Sequence, residues 1–362
     1  MKSRTFIFCF LLVVILVRSV EIFAQEETII KPNNELLSGA LNGDRYRVFI
    51  TTDIGGGDDD DYQSLVHYFV YGDLFDTEGI IATPPKFGTV KNILQVVDLY
   101  EADYPKLVKH SDKYPSPAYY RAIAKQGSKA APSEEIIHGL SYTDEKLTEG
   151  AKWLIECAMR RDPENRPLYV LIWGTPTDLA FALSAKPEIK ENIRVIYLAG
   201  ANELRDPHSI KYIETHHKDL WIVQNMYSFQ GVRLGGNQQG DLDNFTFMQT
   251  HVKGHGAMGD WISLLKGGEI KMGDTPTVLY LLKGNPDDPT LSGWGGKFIK
   301  RKGTTYKNWY VDIMDPEFML YEFKSPRHWN AEWWGAKITS SWREEWLRDW
   351  QERMDRIIIF QE

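Results

Sequence analysis

Five aspartates stand within nine residues, Asp53 and then Asp58 to Asp61, and they give this chain its clearest chemical signature. Carboxylates this close repel one another unless a positive charge sits among them. Aspartates at a helix start gain from its dipole by roughly 0.3–1 kcal/mol each, which accounts for one or two of them but not five. A hard, oxygen-seeking cation such as Ca²⁺ accounts for the rest. A solvated acidic loop is the competing reading. Two later turns have the same form. Trp173-Gly174-Thr175-Pro176-Thr177-Asp178-Leu179-Ala180 follows an apolar run, and Asp274 heads a helical stretch opened by Gly273-Asp274-Thr275-Pro276. Carboxylates from the first and last turns and a backbone carbonyl from the middle one would make an all-oxygen cage, and Ca²⁺ takes about six to eight such ligands.

These residues need a scaffold that brings distant turns together. Arg47 to Thr52 reads as a buried strand, three glycines follow, and Leu65, Val66, Phe69 and Val70 then fall on one helix face. Strand, Gly-rich turn and helix form the first half of a βαβ unit. Further strands are expected at Asp76–Thr83, Pro167–Trp173, Ile193–Leu198 and Trp221–Gln224. Helices are expected at Val90–Tyr100, Glu145–Arg161, Leu179–Ser184, around 245–252 and 261–265, at Thr277–Leu282 and at Trp342–Ile358. Residues 104–142 read as a loop-rich excursion with short helices, suited to a lid. The alternation predicts an α/β fold with an open, mainly parallel sheet flanked by helices and its active site at the strand carboxyl ends, where separate strand ends share one rim.

Residues 1–24 stand apart. Lys2 and Arg4 precede an apolar run from Phe6 to Val17, and Ile22-Phe23-Ala24 forms a cleavage site, the pattern of a secretory signal peptide. A polar lead-in, 25–44, then precedes one domain over 45–362. The expected location is secreted or periplasmic, with no membrane partner once the signal is removed. Cleavage takes away three basic residues and one acidic one, so the net charge goes from −8 to about −10. That balance disfavours nucleic acid. Cys9 leaves with the signal, and Cys157, on an apolar helix face, reads as a buried structural thiol. Twelve tryptophans and eighteen tyrosines suit a protein that handles carbohydrate, although core packing must use most of them.

The motifs resemble the nucleoside hydrolase superfamily, whose opening motif is D-x-D-P-G-x-D-D after a strand. The closer resemblance is to a nucleoside-hydrolase-like family of secreted bacterial proteins, some of which are described as cellulose-binding. Its pattern T-D-I-G-N-E-P-D-D-Q-Q-S-L is similar to Thr52-Asp53-Ile54-Gly55 followed by Asp60-Asp61-Tyr62-Gln63-Ser64-Leu65. Its E-G-D-T-P-S and G-W-G-G-R-Y are similar to Met272–Thr277 and Gly293–Phe298, and its closing W-R…D-F-x-x-R-M to Trp342-Arg343 and Asp349–Met354. The resemblance implies Asp53, Asp61, Asp274 and the Thr177 carbonyl as Ca²⁺ ligands. It implies Asp60 as the aspartate that activates the attacking water.

The departures concern the substrate. The superfamily's ribose-binding asparagine has no counterpart near Thr83-Pro84-Pro85, its late histidine is Gly273 here, and its E-F-N clamp is matched only weakly by Asn202-Glu203 and Asn225. The resemblance therefore implies a kept metal site and a changed pocket. An O-linked leaving group needs an acid, for which His255 is the candidate and Glu203 a second. Trp173 and Trp294 flank motif turns and could stack on a sugar face. The expected function is a secreted Ca²⁺-dependent glycosidase acting on an N- or O-glycosidic bond of a carbohydrate or glycoside. The alternative is a plant-polysaccharide-binding protein without turnover on the same fold. A homo-oligomer is compatible with either.

Overall fold

Strand β1 (Tyr46–Thr52) is buried from Arg47 onward and lies inside the sheet, parallel to β2 (Phe75–Ala82) on one side and β4 (Leu168–Ile172) on the other. The described residues of this computed structural model are 38–55, 59–84, 88–303, 305–322 and 331–358. The signal segment, the lead-in to residue 37 and Asp58 fall outside them. Strands β3 (Ala124–Gln126), β5 (Ile193–Leu198), β6 (Ile222–Asn225), β7 (Phe298–Lys300) and β8 (Trp309–Asp312) complete an eight-stranded sheet in the order β3-β2-β1-β4-β5-β6-β8-β7. All pairings are parallel except that of β7 with β8. The sheet is open. Strand order reverses between β1 and β4, the crevice at which open α/β sheets bind ligands. Thr51 is level with Ile172 there, so Asp53 and the turn at Trp173 emerge side by side.

Alternation along the strands builds a core on each face. Val48, Ile50, Tyr169 and Leu171 point to one side, and Phe49, Val170 and Ile172 to the other. Helices cover both faces: α1 (Asp60–Val70), α2 (Val90–Leu107), α3 (Pro117–Ile123), α4 (Glu149–Met159), α5 (Thr177–Ala185), α6 (Gly200–Arg205), α7 (Pro207–His216), α8 (Gly256–Ile262), α9 (Thr275–Leu282) and α10 (Arg343–Asp355). No described helix is long and apolar enough to cross a membrane.

Four differences from the sequence-based expectations have local causes. The excursion at 104–142 has the short helices expected but more regular structure than its sequence suggests: α2 runs on to Leu107 through Pro105, and β3 extends the sheet, with Ala124 level with Ile80. Its sequence Ala-Lys-Gln has no β-branched residue to announce a strand. Helices α6 and α7 fill a stretch read as connection; Asp206 caps α7 by accepting from Ser209 N at 3.0 Å, ahead of Pro207. Trp309 to Asp312, where no strand is expected from the sequence, pairs with β6. The described end of the lead-in is pinned, since Ser38 and Gly284 exchange backbone hydrogen bonds at 2.7 and 3.0 Å.

Candidate metal centre

The crevice is floored by carboxylates. Asp53 leaves the end of β1, Asp60 and Asp61 occupy the first turn of α1, and Asp274 stands at the N-cap position of α9. Oxygens of Asp60, Asp61 and Asp274 lie within 4.8 Å of one another. Asp61 is fixed from below, where the Thr52 hydroxyl donates to it, and Asp53 shares a hydrogen bond with it. Two glycines allow the approach. A Cβ at position 273 would stand 2.5 Å from Asp60 Oδ2, and one at 174 would stand 3.0 Å from Asp53 Cβ.

Burial dominates the electrostatics of this floor. It pushes Asp53 up to about 6 against the opposing Arg205 charge, and it pushes Asp60 up to about 6 with help from Asp53. Asp61 and Asp274 rise well above the carboxylate range, again through burial first and then through their acidic neighbours. Arg205 Nη1 stands 3.3 Å from Asp53 Oδ2 and is the one cation paired with the four among the described residues. Asp274 Oδ2 is buried with no hydrogen-bond partner, a costly arrangement for a carboxylate oxygen. An orphaned oxygen, an all-oxygen donor set and a charge excess fit a hard divalent cation.

The family described as "Cellulose-binding Sde182, nucleoside hydrolase-like domain" matches residues 47–298, from β1 to the start of β7. The chain belongs to this family. The structure of a nucleoside hydrolase-related protein from Saccharophagus degradans, associated with carbohydrate metabolism, is 23% identical with a TM-score of 0.63, over 87% of this chain and 72% of that one. An inosine-guanosine nucleoside hydrolase is 13% identical with a TM-score of 0.52, over 88% of this chain and all of its own. At these identities the likeness is one of fold. No curated protein matches the chain.

This nucleoside hydrolase-like domain distributes its other expected site residues unevenly. Thr177 heads α5 beside the crevice, its hydroxyl bonded to Asp206 and, at 2.8 Å, to Thr175. Asn202 is spent on the scaffold: Nδ2 donates to the carbonyls of Trp173 (2.9 Å) and Leu198 (3.1 Å), and Oδ1 accepts from Arg205 at 3.1 Å. It therefore holds the guanidinium that faces Asp53. Glu203 accepts from Gln224 at 2.7 Å, and Asn225 accepts from Ser228 Oγ and Phe229 N at 3.0 and 2.9 Å. Neither is directed at the cluster by these bonds.

Three expectations are corrected. His255 is not brought to the cluster. Its Nε2 pairs with Asp355 at 2.9 Å and Nδ1 with the Lys253 carbonyl, beside the far end of α2, where Ala257 and Met258 donate to Asp103. Asp103 lies thirteen residues beyond the start of α2, about 20 Å along the helix from the rim. Trp173 is 1% exposed and cannot stack on a sugar; its indole donates to Thr277 Oγ1 (2.7 Å), which donates to the Asp274 carbonyl (2.8 Å). It steadies the head of α9 instead. Trp294, also 1% exposed, packs in the core under Lys283.

A cavity of about 300 Å³ opens beside Asp60, lined by Gly273, Phe229, Gln230, Arg233, Lys266 and Lys271. None of these side chains was foreseen. Phe229, four residues past β6 and edge-on to Trp333, is the aromatic residue at the site that is not fully buried. Asp312 at the end of β8 holds its loop by accepting from Met226, Tyr227 and Ser228 N at 2.6, 3.2 and 3.0 Å. A strand-end position was the available signal for Phe229 and for Arg205, which lie just beyond β6 and β5.

Proposed function

We propose that this chain is a secreted or periplasmic Ca²⁺-dependent glycosidase that hydrolyses an N- or O-glycosidic bond of a carbohydrate or glycoside. The observation that supports it best is the cluster of buried Asp61 and Asp274 with half-buried Asp60, the buried Asp53 beside them, and the unpartnered Asp274 oxygen. Asp53, Asp61 and Asp274, with the Thr177 carbonyl, would hold the ion. Bound Ca²⁺ would supply a Lewis acid that orients a water and the hydroxyls of the sugar. Asp60, at the cavity wall, takes a proton from the attacking water, and its raised affinity for that proton suits a general base near neutrality. The carboxylate floor stabilises positive charge that develops on the sugar ring. Phe229 offers an apolar face to the ring.

The family description motivates a second reading, a carbohydrate-binding protein without turnover. With His255 distant from the cluster, an N-linked substrate whose leaving group needs little protonation fits the first reading better than an O-linked one. Nitrophenyl glycosides, nucleosides and plant oligosaccharides, assayed with Ca²⁺ and with EDTA, separate the two. Hydrolysis that stops with EDTA supports the glycosidase; saturable binding with no hydrolysis of any substrate sinks it and leaves the binding protein.

A further inference from the structure

Three carboxylates of the floor come from two helices far apart in the sequence: Asp60 and Asp61 open α1, and Asp274 heads α9. Their mutual repulsion pushes the two helix starts apart, so the metal-free floor needs a tie between them. Gln63 makes that tie. It stands two residues beyond Asp61, is fully buried, and uses the whole of its amide. Nε2 donates to the carbonyls of Glu269 (2.9 Å) and Ile262 (3.4 Å), and Oε1 accepts from Lys271 N (2.9 Å) and Met272 N (3.3 Å). Two donors and two acceptor sites are all that a glutamine amide has. A glutamate here would set a carboxylate against two carbonyls. A methionine would leave four backbone groups without this partner.

The tied backbone runs straight into the turn that presents Asp274. Met272, buried in the core, has φ 31°, in the left-handed region that glycine enters freely and a methionine does not. Gly273 follows, where a Cβ would meet Asp60 Oδ2, and then Asp274. Thr275 N closes the turn on the Met272 carbonyl at 3.1 Å, and Thr275 Oγ1 bonds Ser64 Oγ at 3.2 Å. Gln63 and Ser64 thus hold a disfavoured backbone in place beside the carboxylate it aims. Strain of this kind persists only where surrounding contacts over-determine it, and it gathers at ligand clamps. We propose that Gln63 is a positioning residue that fixes the separation between the Asp60–Asp61 pair and Asp274, and so sets the size of cation the floor accepts, Ca²⁺ in preference to Mg²⁺. The proposal rests on the reading of the floor as a metal site and adds its choice of ion. Ca²⁺ takes oxygens at about 2.3–2.6 Å in flexible order, whereas Mg²⁺ demands about 2.0–2.1 Å and near-octahedral geometry. A floor held open cannot close on the smaller ion; a loosened one can.

Calorimetry with Ca²⁺ and, separately, with Mg²⁺ on the full chain and on Gln63→Met tests this without requiring turnover. The parent should prefer Ca²⁺. In Gln63→Met the Ca²⁺ affinity is expected to fall about 10–100-fold, as when a residue that orients metal ligands is removed, and the Ca²⁺:Mg²⁺ affinity ratio at least about fivefold. Arg47→Ala is the control for lost stability alone, since its pair with Glu78 lies at the other end of β1; it should keep the parent's ratio. An unmoved ratio in Gln63→Met overturns the assignment, whatever the variant's stability. Hydrogen exchange on the EDTA-treated parent needs no variant: the Lys271 and Met272 amides should exchange as slowly as those of β1. Fast exchange there that Ca²⁺ suppresses would mean that the ion orders the turn, and it overturns the proposal as well. A parent chain that binds no Ca²⁺ sinks the metal reading and this inference with it. Ca²⁺ held with the same preference in parent and Gln63→Met sinks this inference alone.

Discussion

The two ends of the sheet are both rich in charge, yet they use it differently. At the amino end of β1, Arg47 makes two bonds to Glu78, at 2.6 and 3.2 Å, and donates to the carbonyls of Arg166 and Cys157. Around it Arg45 pairs with Asp76, Arg166 with Asp76 and Asp162, and Lys190 with Asp219. A cavity of about 470 Å³ opens there, larger than the one at Asp60. At the carboxyl end, four carboxylates face one paired guanidinium, and a carboxylate oxygen is buried without a partner. Both ends gather charged side chains, but only the amino end pairs most of them. A paired charge is finished structure, whereas an unpaired buried one requires something from outside the chain. The smaller, unbalanced end is therefore the one we propose as the functional site.

The largest effect expected from breaking this contrast lies at Asp60. Asp60→Asn keeps the shape and removes the base, so hydrolysis of the best substrate should fall about 10²–10⁴-fold. Ca²⁺ affinity, measured by calorimetry, should change far less than in Asp274→Asn. Equal loss of Ca²⁺ in both variants would make Asp60 a ligand and not the base.

At the balanced end the penalty should appear in stability and leave the chemistry alone. Arg47→Ala strands Glu78, whose side chain is 10% exposed, with only the half-exposed Arg160 at 3.1 Å. Removing one partner of such a buried pair costs about 3–5 kcal/mol. Urea unfolding should show it, while Ca²⁺ affinity stays within about twofold of the parent. A variant that loses Ca²⁺ binding as well would mean the two ends are coupled through β1.

Sequence patterns made the unbalanced end visible and left its cavity hidden. The opening strand, glycine turn and acidic helix start are contiguous, so period and composition revealed Asp53 and the run Asp58–Asp61 together, and the family resemblance singled out Asp60 and Asp61. Asp274 was legible because a helix start with Pro276 is a local signal. The family resemblance, confirmed over residues 47–298, extended these to the whole fold. The cavity wall, by contrast, is assembled from Phe229, Arg233, Lys266 and Lys271, which belong to separate loops with no shared period. Side-chain direction was equally invisible. Trp173 lies beside the turn proposed to hold the metal, but β4 is buried on both faces, so its indole enters the core. His255 failed for a related reason, since an exposed-looking Lys-Gly-His-Gly turn gave no sign that Asp355, a hundred residues on, completes its pairing.

Proton occupancy offers a milder way to sharpen the contrast. Asp53 and Asp60 ionise at about 6 in the metal-free fold, against 3.8 when unperturbed, so folding favours their protonated forms. Their contribution is fully present below about pH 4 and is lost as pH rises through about 6, with Asp61 and Asp274 extending the loss higher. Ca²⁺ needs the ionised forms, so its effect has the opposite sign. The melting temperature of the EDTA-treated chain should fall from about pH 4 through about pH 6 and go on falling above it, and the gain on adding Ca²⁺ should grow over the same range. A gain that is flat with pH would mean that protons and Ca²⁺ do not compete for these oxygens.

The smallest effect concerns Arg205, which stands at the border between the two charge regimes. Its guanidinium is 3.3 Å from Asp53 yet about half exposed, with a side-chain exposure of 47%. In the metal-free chain it offsets part of the repulsion on the floor. Toward an incoming cation it is a competitor for Asp53, so it cannot favour both states. Arg205→Gln keeps a donor for Asn202 and removes the charge. Ca²⁺ affinity at about pH 8 should then rise by about two- to fivefold, because an exposed pair is worth no more than about 1 kcal/mol. The gain should shrink as salt screens the parent's guanidinium. Weaker Ca²⁺ binding in this variant would reverse the reading: Arg205 would then be holding Asp53 in its ligating position, and the unbalanced floor would depend on its one paired cation for shape as well as charge.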